Sequence, residues 1–254
     1  MSLPVFYAAD MSAAVFTMSL TEDANYPLVN LHSNLPSMLW KSSANTNAQT
    51  LKIDLGSAKA VDFLAIGSSN FYSMTTTKLQ YATTDDGNFS DPVDAFTDFN
   101  DPDNAPYVCT FTLATKRYWR IIFTNTGGII PQIGLLLLGA KMAMPFNYDM
   151  DAELWNKQFT TNGIRAIDGT LRTASTIGGW KRAEVSFTIL SDATATAWQA
   201  LMDKIKGKLN PFFFADHLGE IHIVHSEEDY VPVQGRRYNI NDLARLKMCH
   251  QSVS

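Results

Sequence analysis

Cysteine is almost missing from this 254-residue chain: Cys109 and Cys249 stand in opposite halves, and no C-x-x-C occurs. That excludes a disulfide framework and a cysteine-ligated zinc site. Two reduced, partly buried thiols are expected, as suits assembly in a cytosol. Charge is also scarce. Charged residues make up 18% of the chain, against a usual ~25%. The 25 acidic and 20 basic side chains leave a net charge of −5, and no basic cluster is large enough to cover a face. Non-specific nucleic-acid or anionic-membrane binding therefore has no electrostatic drive, and no specific nucleic-acid partner is expected. Long apolar runs are missing too. The greasiest stretch, Ile129 to Leu138, contains Pro131 and Gln132 and is roughly half of the ~20 residues a membrane span needs. Met1 to Phe6 lacks the basic region of a signal peptide. A soluble protein without membrane insertion, not exported by the usual route, is expected, and the sequon Asn88-Phe89-Ser90 is read as incidental.

Catalytic devices are equally scarce. The chain has no Walker loop, no G-x-G-x-x-G, no G-x-S-x-G elbow and no H-E-x-x-H. Each of those chemistries needs a specific backbone arrangement. The expectation is therefore no catalytic residue, no cofactor and no metal.

What is present is apolar and aromatic: 46% hydrophobic residues, with 15 Phe, 9 Tyr and 5 Trp. Such a chain buries a substantial core, and intrinsic disorder is excluded. The first half reads as strands. Thr50-Leu51-Lys52-Ile53-Asp54-Leu55-Gly56 alternates strictly, apolar residues on one face and Lys52 and Asp54 on the other, with Gly56 read as its stop. Further strands are read at Ala14–Leu20, Val61–Gly67, Thr77–Thr83, Tyr107–Leu113, Tyr118–Phe123 and Gln132–Leu138. Short strands with turn signals between them argue for a sandwich. Between Thr84 and Pro106 the chain holds seven aspartates, three prolines and no Lys or Arg, the composition of a long acidic surface loop with at most one short strand.

A boundary is read near Gly139 to Pro145, dividing the chain into residues 1–142 and 143–254. In the second half Asp168-Gly169 marks a hairpin. In Trp180 to Leu190, Ala183, Val185, Phe187 and Ile189 alternate with polar residues as one inward strand face. One helix is expected over about 192–206: Ser191 or Asp192 caps it, and Ala197, Trp198, Leu201, Met202 and Ile205 share one face. Gly207 is the expected stop. Strands at Pro211–Phe214, Glu220–His225 and Ala244–His250 follow.

Three polar clusters invite a chemical reading. His217, Glu220, His222 and His225 are metal-ligand types. On a strand, however, His222 and His225 face opposite ways, and converging all four needs a bulge, so a polar strand with exposed histidines is expected. Asp98 to Asn104 offers alternate oxygens to calcium, but Pro102 occupies a ligand position and the turn glycine is absent. Lys116, Arg117 and Arg120 around Tyr118 and Trp119 read as one buried aromatic face and one charged face rather than a nucleic-acid grip.

Residues 13–139 resemble the discoidin (factor 5/8 type C) family, the galactose-binding-like jelly roll. The resemblance is carried by Tyr26–Leu31, Ser37–Ser42 with Trp40, Thr50–Gly56, Ala65–Gly67, Arg117–Ile121 and Pro131–Leu135 in that order. It departs from the family in lacking the terminal disulfide and any carboxylate within His32–Pro36. It implies ligand loops at 32–48 and 68–75, with Trp40, Asn70, Phe71 and Tyr72 as contacts to a glycan or a protein neighbour.

Residues 146–254 resemble the β-rich ring domain of bacteriophage tail-tip proteins, on Arg172, Trp180–Phe187, the helix with Trp198 and Leu201, and Lys208–Asp216. That resemblance implies a mainly β protein: an N-terminal jelly roll joined to a tail-tube-like or distal-tail-like β domain with one packed helix. It implies a structural subunit of a phage tail tip or baseplate. Partners would be further copies of the chain in a hexameric ring, together with tail-tube, hub and tip proteins, in a virion assembled in the host cytoplasm. The alternative is a carbohydrate-binding protein that recognises a host surface glycan.

Overall fold

The computed structural model describes the chain except residues 1–2, 20, 46–47, 72–73, 75, 85–86, 99–105, 125–127, 146, 149–152, 159–160, 166–170, 176–179, 189–190, 207–208, 228–242 and 251–254. The strands of the first half are β1 (Val5–Tyr7), β2 (Val15–Met18), β3 (Trp40–Lys41), β4 (Gln49–Ile66), β5 (Thr76–Ala82), β6 (Pro92–Thr97), β7 (Tyr107–Thr124), β8 (Gln132–Ile133), β9 (Leu136–Gly139) and β10 (Met142–Ala143). The second half contributes β11 (Glu153–Gln158), β12 (Thr161–Arg165), β13 (Leu171–Ser175), β14 (Trp180–Thr188), helix α1 (Asp192–Ile205), β15 (Phe212–Ala215), β16 (Ile221–Ser226) and β17 (Leu243–His250). The architecture is mainly β with sandwiched sheets, as the strand alternation predicts.

One sheet runs β2-β4-β7-β5-β6, with β9 paired to the far half of β4. The expected strands Thr50–Gly56 and Val61–Gly67 are merged in the single strand β4, and Tyr107–Leu113 and Tyr118–Phe123 in β7. Gly56, at φ +76°, bulges the strand instead of ending it: Asp54 Oδ1 accepts its N–H at 2.8 Å, and the β4–β7 register shifts between Asp54 and Lys59. A bulge bends a strand without breaking it, which lets β4 and β7 pair along both limbs. The inward residues Leu51, Ile53, Phe63, Trp119, Ile121 and Phe123 are fully buried. Among the described residues of the acidic 84–106 segment, Pro92–Thr97 forms one short strand and pairs with β5.

The second sheet has the order β10-β1-β15-β16-β17-β14-β11. Helix α1 lies on one face of it, and the first sheet's core on the other. Strand parity sorts the side chains. Phe6, Phe212, Phe214, Val224, Val185 and Phe187 join Trp198, Leu201 and Ile205 of the helix. Their neighbours Tyr7, Phe213 and Ile223 join the core of the first sheet. The run Phe212-Phe213-Phe214 is apolar without alternation because this sheet is covered on both faces. The second sheet thus draws strands from both sides of the division read at residues 142/143. Val5–Tyr7 belongs to the second sheet, opposite Phe213 to Ala215, because Phe6 fills the helix-side core.

The helix forms as its caps dictate. Ser191 Oγ accepts the Thr194 N–H at 3.2 Å, and Ala195, Trp198, Leu201, Met202 and Ile205 are its buried face. Lys206, at φ +50°, takes the left-handed cap position and its N–H bonds Met202 O. The predicted stop at Gly207 lies outside the described residues, as does the Asp168-Gly169 turn, although the β12 and β13 strands flanking that turn pair antiparallel. No helix among the described residues is long and apolar enough to cross a membrane.

Candidate functional site

The loop end of the first sheet is assembled from four segments. The short β3–β8 pairing sets Trp40 opposite Ile133 and Lys41 opposite Gln132. Successive strand side chains point to opposite faces, so Trp40 and Ile133 enter the core while Lys41 and Gln132 sit half-buried at the surface. Backbone bonds hold the neighbouring loops: Lys41 N–H to Tyr26 O at 3.1 Å, Asp23 N–H to Lys41 O at 3.1 Å, and Ser42 N–H to Pro131 O at 3.1 Å. The Lys41 ammonium lies 3.9 Å from the centroid of the half-buried Tyr26 ring, a cation–π contact. Asn70 clamps the third loop, donating to Ile130 O at 2.8 Å and accepting the Gln132 N–H at 3.1 Å.

This geometry corrects the expected contacts. Trp40 is 0% exposed and packs 6.3 Å from Phe123, and Phe71 is 1% exposed with its ring 5.1 Å from Phe123. Neither ring offers a stacking face, because the first sheet's core needs large side chains to close its loop end. Asn70 is at the surface, but its amide organises the loop. Tyr72 lies outside the described residues. Among the described residues, the ring with a cation over it at this end is instead Tyr26, capped by Lys41; Gln132 stands opposite Lys41 across the β3–β8 pairing, and Asn70 accepts the Gln132 N–H. Only the in–out alternation of Trp40-Lys41 hinted at this in the sequence.

The basic cluster on β7 behaves as a charged outer face. Arg117 makes a two-pronged pair with Asp54 (Nε to Oδ1 2.7 Å, Nη2 to Oδ2 2.9 Å). That guanidinium, with the Gly56 N–H, holds the Asp54 carboxyl below its ordinary range. Arg120 donates to Gln80 Oε1 at 2.7 Å and covers the buried Phe89 ring at 4.5 Å. Lys116 donates to Thr83 O at 3.0 Å. The calcium-like stretch 98–104 falls almost wholly outside the described residues.

In the second sheet, the turn between β15 and β16 brings together part of the histidine cluster and one residue that the sequence reading left out. Asp216 is 1% exposed. Its Oδ1 accepts the N–H groups of Leu218 (2.9 Å) and Glu220 (3.0 Å), and its Oδ2 stands 3.4 Å from His222 Nε2. Glu220 Oε2 is 3.8 Å from the same nitrogen. Burial pushes the His222 imidazole below its ordinary range, against the upward pull of Asp216 and Glu220. His217 turns away to the Tyr148 hydroxyl, and His225 is not part of the group. The Tyr148 hydroxyl is pushed up to about 12, first by burial and then by the Asp216 charge.

No protein-family model and no curated protein matches the chain. Solved structures show likeness over about half of it. Chitosan-binding module 2 of the chitosanase/glucanase from Paenibacillus sp. IK-5, in complex with chitotriose, is 15% identical over 50% of this chain and 97% of that one, with a TM-score of 0.45. A CBM32 domain from Clostridium perfringens, in complex with GalNAc-β-1,3-galactose, is 12% identical over 52% and 99%, with a TM-score of 0.45. The CBM32 of AlyQ, in complex with 4,5-unsaturated mannuronic acid, is 24% identical over 52% and 96%, with a TM-score of 0.42. The sandwich of the present chain is defined by its own strand order and buried core.

Proposed function

We propose that the protein works by binding, without a bond-making step, and that the loop end of its sandwich recognises a carbohydrate. The observation that carries this reading is the Tyr26 ring with the Lys41 ammonium over it, on segments that hydrogen bonds already tie to the neighbouring Gln132 and Asn70 loops. A sugar presents apolar C–H faces and a fringe of hydroxyls. One aromatic ring and a few convergent polar groups complement it, and loops fixed in advance lose little freedom on binding. Calorimetry against chitooligosaccharides, galactosides, uronates and bacterial surface polysaccharides tests the reading. Tyr26→Ala and Lys41→Ala each lower affinity at least tenfold while the melting temperature stays near that of the wild type. Failure of every glycan class to bind overturns it.

A second reading, a subunit of a phage tail tip, is favoured by a separate observation. The β12–β13 hairpin is a two-stranded sheet joined to no further strand among the described residues. A lone hairpin is marginal in water, and its open edges are templates for another chain. A neighbouring subunit in a ring would pair with it. Mass photometry showing hexamers supports this reading, and monomers at every concentration sink it. The two readings are compatible, since a ring subunit can carry a glycan-binding arm.

A further inference from the structure

Among the described residues, one group of three metal-ligating side chains converges: Asp216, Glu220 and His222, whose ligand atoms lie within 4.8 Å of one another. We propose that these three residues form a binding site for a first-row divalent cation of the zinc type, which fastens the β15–β16 turn to the end of the second sheet.

The spacing is compatible with a shared ion. Asp216 Oδ2 and His222 Nε2 make a long hydrogen bond of 3.4 Å, at the upper end of N–H···O contacts. Bonds of ~2.0–2.1 Å from tetrahedral zinc to nitrogen and oxygen place neighbouring ligands about 3.3–3.4 Å apart. The Glu220 oxygen, at 3.8 Å from His222 Nε2, closes to that spacing with a small rotation, because its side chain is 67% exposed.

The remaining parts also suit a ligand set. Asp216 Oδ1 is engaged by two turn N–H groups, so the carboxylate is held with Oδ2 directed at His222. Such outer hydrogen bonds orient metal ligands. Gly219, at φ +85°, allows the tight turn that returns Glu220 toward Asp216, and Asp216 N–H bonds Glu220 O at 3.0 Å. His222 is 6% exposed, with the Trp155 ring 3.9 Å away, so one wall of the site is apolar. The donors are one imidazole nitrogen and two carboxylate oxygens, a mixture that suits zinc, cobalt or manganese rather than a soft ion. Water completes the shell on the open Glu220 side.

The test uses the full chain, freed of any affinity tag and stripped with a chelator, with cobalt(II) as a visible probe and zinc as a stabiliser. One equivalent of cobalt gives d–d absorption bands, and zinc raises the melting temperature because it binds the folded state only. Glu220→Gln changes an exposed side chain and leaves the fold intact; it weakens cobalt binding at least tenfold. His222→Ala abolishes the bands, and His225→Ala leaves them unchanged. Absence of bands in the folded wild type, or equal binding by Glu220→Gln and wild type, overturns the site. Neither outcome depends on whether a glycan binds at the loop end.

Discussion

Phe6 lies directly opposite Phe214 in adjacent antiparallel strands, with ring centroids 5.0 Å apart. Trp198 and Phe187 each approach the same Phe6 ring at 5.9 Å. A residue near the start of the chain is thus at the centre of a core made mostly by its last third. The parity of the same strand sends Tyr7 to Phe63, 5.2 Å away, in the other core. Phe6→Ala is expected to cost about 3–5 kcal/mol, the range for emptying a buried aromatic site. Because the middle sheet serves both cores, urea unfolding followed at the two ends of the molecule gives coincident transitions. Residues 143–254 expressed alone do not fold, and a cooperative melt of that fragment would refute this.

Trp40 and Phe71 act through the core. Trp40→Ala removes a fully buried ring beside Phe123 and is expected to cost about 3–5 kcal/mol. Trp40→Phe and Phe71→Leu keep most of the apolar volume, so they fold and retain whatever affinity the loop end has. A Trp40→Phe protein with an unchanged melting temperature and no glycan affinity would restore the tryptophan as a direct contact.

Gly134 is where the loop end tolerates least. A Cβ there would stand 2.0 Å from the carbonyl oxygen of Pro36 and 3.0 Å from Ser68 Cβ. Its N–H also bonds Ser68 O at 2.8 Å. Gly134→Ala must displace backbone, since no flexible side-chain tip can yield. A loss of roughly 1–3 kcal/mol is expected, with loop 33–39 shifted and the Tyr26–Lys41 surface weakened. Thermal melts and hydrogen exchange over that loop measure it.

Asp10 supplies a pH test. Burial by itself would raise its carboxyl, but hydrogen bonds from Lys206 and Ser12 and the Lys206 charge bring it down to about 2. The unfolded value is about 3.9. A lowered folded value stabilises the protein above the unfolded value, and that stability drains away as pH falls from about 4 to 2. The Lys206 and Asp10 side chains are 45% and 35% exposed, so solvent limits the effect to about 1 kcal/mol or less. Asp10→Asn should melt below wild type at pH 6, with a gap that shrinks as pH falls toward 2. A gap as large at pH 2 as at pH 6 refutes the assignment.

Much of the architecture was legible in the residues themselves. Alternation at Thr50–Leu55 and Ala183–Phe187, the Ser191 cap and the helical face from Trp198 to Ile205 are local patterns, and local patterns set strand and helix directly. Tertiary structure alone decided three things. Gly56 bends a strand where the sequence reading ended it, because pairing with β7 continues on the far side of the bulge. Val5–Tyr7 joins the second sheet rather than the domain it precedes, because strand partners are chosen by which core a phenylalanine can fill, whatever its distance along the chain. Trp40 and Phe71 face inward because both pack on Phe123 of β7. That partner lies far along the chain from either, so no local spacing records the contact.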